Sequence, residues 1–204
     1  MPSPNPTARC WARRSTFTLA AVGAVLILAT PDSGEGQATP VREGQWLGVG
    51  LGGGFDQVSC DICSGDPKPG FAGYVRFGGT LSSRLLVGAE FNGWTRGDES
   101  IRQYLGSLSA VLLWYTRPDG SFYVKGGLGA VGYRAAEDGD ALTALTVGGQ
   151  VGVGYEYRIG DNLSLAPFAN LVLAPSTGLS FNGDHATGGA TLALLQGGLG
   201  LTWH

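Results

Sequence analysis

From residue 46 onward one pattern repeats: apolar residues alternate with polar or small ones at a period of two. That period belongs to a β-strand whose two faces see different surroundings. It recurs in eight segments, 46–55, 71–81, 85–94, 104–115, 122–133, 145–157, 163–173 and 193–203. One parity of each segment carries only apolar residues and glycine. In 104–115 it reads Tyr104, Gly106, Leu108, Ala110, Leu112, Trp114, and in 145–157 it reads Leu145, Val147, Gly149, Val151, Val153, Tyr155, Tyr157. Each segment is about as long as a tilted strand needs to be to cross a bilayer, and after residue 38 no apolar run approaches the ~18 residues of a membrane helix.

The opposite parity is polar but sparsely charged, with Arg76, Glu90, Lys125 and Glu156 among many glycines, hydroxyls and amides. Charged residues make up 14% of the chain, against roughly 25% in soluble proteins. So few charges do not make a water-facing surface, which excludes a soluble barrel with its apolar face inward. The pattern predicts an all-β fold, an up-and-down antiparallel transmembrane barrel of eight strands, apolar outside and polar inside. Closure satisfies every backbone group without water, as a sheet in lipid requires. The net charge of −3 and the lack of a basic block exclude a nucleic-acid footprint.

The connections alternate in length. Residues 82–83, 117–120 and 160–162 are tight and rich in turn formers, whereas 56–70, 95–103, 134–144 and 174–192 read as long, acidic loops. Three short and four long connections put both chain ends on the short-turn side. Aromatic residues near the segment ends suit interfacial girdles. Trp46 and Trp94 fall on the inward parity, where the alternation assigns them no role.

Ahead of the barrel, Arg9, Arg13 and Arg14 precede an apolar run at 19–29, and Gly36-Gln37-Ala38 supplies small residues for a peptidase. Residues 1–38 read as a secretory signal peptide cut after Ala38, with a cut near Ala29 as the competing choice, leaving 39–204 as the barrel domain.

Segments such as Gly78-Gly79-Thr80-Leu81-Ser82-Ser83-Arg84-Leu85-Leu86-Val87-Gly88-Ala89-Glu90 look like the strand–turn–strand units of a known family. Over roughly residues 45–204 the chain resembles eight-stranded outer-membrane barrels of the OmpA and OmpX type. The resemblance implies residence in a Gram-negative-type outer membrane, with membrane lipids and the barrel assembly machinery as partners. The family usually ends on an aromatic residue; here Trp203 is penultimate and His204 follows.

Catalytic chemistry finds little support. Ser176, Ser180, Asp184, His185 and Thr187 share the last long loop, but composition alone makes no triad. Some barrels of this size are lipid deacylases with a His-x-Ser pattern; here only His185-Ala186-Thr187 approaches it. The glycines of 48–54 are followed by no helix, so they are not a nucleotide loop. Cys60 and Cys63 lack the helix of a redox motif and the further ligands of a zinc site, which leaves a local disulfide in an oxidising compartment. No catalytic, cofactor or metal site is expected, and the loop ligand is unknown.

Arg76, Glu90, Lys125 and Glu156 all point inward at similar distances from the short turns. Unpaired buried charge is costly, and an eight-stranded interior is just wide enough for side chains to fill it. A plugged lumen held by a charge network is therefore expected, with function carried by the outer loops. A small pore is the alternative, and a lipid-modifying enzyme trails both.

Overall fold

The computed structural model describes residues 42–59, 66–98, 101–137, 140–181 and 184–204, without the side chains of 98, 137, 176–179, 181 and 184–188. The signal segment, its cut after Ala38 and the Cys60–Cys63 pair lie outside these residues.

Among the described residues the strands are β1 (Gln45–Ser59), β2 (Lys68–Ser82), β3 (Leu85–Asp98), β4 (Ile101–Tyr115), β5 (Phe122–Glu137), β6 (Asp140–Tyr155), β7 (Tyr157–Arg158), β8 (Leu163–Phe181) and β9 (Asp184–Trp203). β7 continues β6 after a break at Glu156, so the nine elements make eight barrel strands. Each strand pairs antiparallel with its neighbours, β1 joins β9, and β6 meets β8 to close the barrel.

The stagger follows from the register. Gln45 leads through Gly79, Val87, Leu112, Gly126, Val151, Leu171 and Leu195 back to β1 at Phe55, ten residues from the start. Closure with that stagger tilts the strands by about 40° and leaves an interior about one side chain deep.

The apolar parity faces outward: Leu51, Phe77, Leu128, Leu145, Val147 and Leu199 are exposed, while Arg76, Glu90, Asn92 and Lys125 are buried inside. Two devices let so narrow a tube close. Inward glycines leave room for large neighbours; a Cβ at Gly48 would stand 2.7 Å from Arg76 Nε, and one at Gly154 would run into the Tyr123 ring. Ladder partners Gly52 and Gly198, and likewise Gly78 and Gly88, bring neighbouring backbones closer than any side chain permits.

The long connections differ from the sequence reading. β3 and β4 pair up to Asp98 and Ile101, β5 and β6 up to Glu137 and Asp140, and β8 and β9 up to Phe181 and Asp184. Much of 95–103, 134–144 and 174–192 is thus strand. The outward apolar alternation stops there, but backbone pairing does not depend on it, and inward residues such as Ala144 and Leu192 stay packed.

Candidate functional site: the lumen and its two ends

Three tiers fill the lumen. Along β3 the inward residues run Leu86, Glu90, Asn92, Trp94; along β4 they run Leu113, Val111, Ser109, Ser107, Leu105. The order is apolar, polar, apolar. The first apolar tier lies near the short turns, with Trp46, Tyr115 and Tyr123. The second lies towards the long-loop end, with Trp94, Leu105, Val131, Leu192 and Leu194. Trp46 lies in the lower tier beneath the Arg76 guanidinium, 5.7 Å away. Trp94 lies in the upper tier and donates its indole N–H to the Gly54 carbonyl at 3.2 Å.

The middle tier crosses the tube. Lys125 Nζ on β5 donates to both carboxylate oxygens of Glu90 on β3, at 2.5 and 2.7 Å. Asn92 Nδ2 donates to Glu90 Oε1 at 3.0 Å and to Gln150 Oε1 on β6 at 2.9 Å. Gln196 Nε2 on β9 donates to Asn92 Oδ1 at 2.5 Å. The bonds to the Glu90 carboxylate are charge-assisted and about twice as strong as the neutral amide–amide ones. Together these bonds join β3, β5, β6 and β9 through one knot of side chains.

Arg76 sits opposite Glu90 in the β2–β3 register, but its guanidinium turns to hydroxyls. It donates to Tyr123 Oη at 3.0 Å and to Thr202 Oγ1 at 3.2 Å, and it lies over the Tyr74 ring at 4.9 Å. Stacking on π faces suits a weakly hydrated, planar cation.

Glu156 belongs to a separate cluster at the short-turn mouth. It accepts from Tyr115 Oη at 2.8 Å and from His204 Nε2 at 3.2 Å, and it lies 3.6 Å from Arg42 Nη2. Arg42 also donates to the carbonyls of Pro118 at 3.0 Å and Gly120 at 2.6 Å, with its guanidinium 3.6 Å from the centre of the Tyr115 ring. Gly44, at a φ of 76°, turns the chain between Arg42 and β1. Of the four inward charges, the structure joins Lys125 to Glu90, seats Arg76 among rings and hydroxyls, and holds Glu156 with residues from the two ends of the barrel domain.

Sequence reasoning missed Arg42 and His204, because both lie outside the alternating segments. It also missed the upper apolar tier, although a signal existed: at 131–133 and 192–195 both parities turn largely apolar. Ser180 and His185 are ladder partners near the β8–β9 tip. Among the described residues no cluster of three potential metal ligands occurs.

No protein-family model and no curated protein matches the chain. Solved structures do. Ail, the attachment invasion locus protein of Yersinia pestis, superposes with a TM-score of 0.52 at 14% identity, covering 79% of this chain and 99% of that one. Neisserial surface protein A superposes with a TM-score of 0.52 at 13% identity, covering 78% of this chain and 96% of that one. At such identities the likeness is one of fold.

Proposed function

From the fold of an eight-stranded outer-membrane barrel, which this chain has, we propose a plugged barrel that resides in an outer membrane and acts through its long-loop end. The observation that carries this reading is the middle tier. Lys125, Glu90, Asn92, Gln150 and Gln196 bond to one another across the tube, with apolar side chains packed above and below. An ion crossing such a lumen would have to part a buried ion pair and then shed its water among Trp94, Leu105 and Leu194. Both steps are costly. The outward apolar face supports membrane residence, because an exposed apolar surface of this extent has no stable place in water. The role is structural or one of surface interaction, with membrane lipids around the wall and a partner at the strand tips.

Planar-bilayer recording tests the plug. The expected result is no steady conductance. A stable conductance whose ion selectivity changes on Lys125→Glu would overturn the plug in favour of a small pore.

A further inference from the structure

The outward apolar face ends, on the long-loop side, in an aromatic rim where Phe55, Phe71 and Tyr104 are exposed. Just above that rim two cations stand together. Arg102 on β4 shares the outward parity of Tyr104, Arg134 on β5 is the ladder partner of Tyr104, and both arginines are exposed. Arg102 and Arg134 are therefore diagonal neighbours, about 7–8 Å apart at the backbone, a span that long side chains close. Among the described residues, none bonds to either guanidinium. The outward positions at this level on other strands are uncharged: Gln57 on β1, Pro69 on β2, Thr143 on β6 and Thr191 on β9. A chain of net charge −3 thus carries, at one place on its rim, a local positive field.

Directly below the pair the wall is bare. Gly93, Gly106 and Gly132 are ladder partners in one row across β3, β4 and β5, on the outward parity, one row under Thr95, Tyr104 and Arg134. Beyond its chain neighbours, a Cβ at Gly106 would meet no atom nearer than 3.6 Å, and one at Gly132 none nearer than 3.8 Å. Leu145, the partner of Gly132 on β6, is 78% exposed, because the row gives it little to pack against. The row is a shelf one side chain deep. It separates the basic pair from the apolar belt of Leu108, Leu128 and Val147.

We propose that Arg102, Arg134 and the Tyr104 hydroxyl hold the phosphomonoester headgroup of one membrane lipid against the outer wall, with the first carbons of that lipid lying on the glycine shelf. The charge argues for this occupant. A phosphomonoester carries close to two negative charges at neutral pH and three acceptor oxygens, which suits two guanidiniums that each offer paired N–H donors. A phosphodiester offers one charge, and a zwitterionic headgroup brings a cation to the same place. The position argues for a lipid, since the site lies where the apolar belt gives way to charge, with the belt directly beneath to receive acyl chains. The proposal rests on the reading of the outward face as membrane-embedded and names which lipid that face prefers.

Native mass spectrometry of the protein refolded in detergent micelles tests the site, after a heat-modifiability gel confirms folding of each variant. The probes are phosphatidic acid, phosphatidylglycerol and phosphatidylcholine with identical acyl chains. The wild type is expected to retain one phosphatidic acid about tenfold more tightly than either other lipid, as two surface arginines allow. Arg102→Gln with Arg134→Gln should erase that preference. Arg84→Gln with Arg117→Gln removes the same charge from exposed positions at the short turns and should leave it intact. Gly132→Leu fills the shelf without touching charge and should weaken retention of phosphatidic acid. Equal retention of phosphatidic acid and phosphatidylglycerol, or equal losses in the two double variants, would overturn the site in favour of unspecific attraction. Release of phosphatidic acid by equimolar inorganic phosphate would overturn the lipid as occupant and leave a site for free phosphate. A barrel that stays soluble without detergent and retains no lipid of any class would sink the membrane reading itself, an outcome distinct from lipid retained without preference.

Discussion

Single residues in this lumen matter through what they leave behind when removed. Glu90 accepts from both Lys125 and Asn92. Glu90→Ala would strand a buried ammonium, which costs about 3–5 kcal/mol in comparable pairs. The double variant Glu90→Gln with Lys125→Met removes both charges at similar volume and should recover much of that loss. Urea unfolding in lipid vesicles measures both, and a single variant as stable as the double would show that the pair carries no such strain. Glycine placement gives a second comparison. A Cβ at Gly52 would collide with the Gly197 carbonyl, whereas at Gly53 the nearest atom is 3.7 Å away. Gly52→Ala should cost about 1–3 kcal/mol, as overpacking does, and Gly53→Ala far less. Equal costs in the same assay would contradict the close approach of β1 and β9.

At the scale of the strand, alternation made the fold legible. The uncharged parity of 104–115 is the outward face of β4, and Tyr104, Leu108, Leu112 and Trp114 are exposed as the pattern requires. Strand ends were less legible, because outward apolar residues mark the lipid band and not the reach of backbone pairing. β8 and β9 therefore run on to Phe181 and Asp184. Site geometry was the least legible. A parity places Arg76, Glu90, Lys125 and Glu156 inside, but the partner of each depends on side-chain reach across the tube and on Arg42 and His204, which lie outside any repeat. The outward face also carries a prediction. Val151→Arg, midway along the outward face of β6, should destabilise by about 2–4 kcal/mol as at the bilayer midplane, and Leu112→Arg, closer to the Trp114 end of β4, by less. Asp66→Arg, at an exposed position beyond β1, should be close to neutral. Equal tolerance at Leu112 and Asp66 would reverse the assigned faces.

For the whole molecule, the mouth cluster is the feature with the longest reach. Glu156 is held from one side by Arg42, just ahead of β1, and from the other by His204, just past β9. Trp203 is a ladder partner of both Leu47 and Leu163, so β9 must lie between β1 and β8 before His204 can reach the carboxylate. The three-way contact can form only after the first and last strands have met. An interaction absent from the transition state slows unfolding without speeding folding. Glu156→Gln should therefore raise the unfolding rate several-fold while the rate of insertion and folding into vesicles stays unchanged, as followed by the time course of the gel shift. A slowed folding rate would place the contact earlier on the path. The cluster acts as a ratchet: it does nothing to bring the ends of the sheet together, and it resists their parting once they have met.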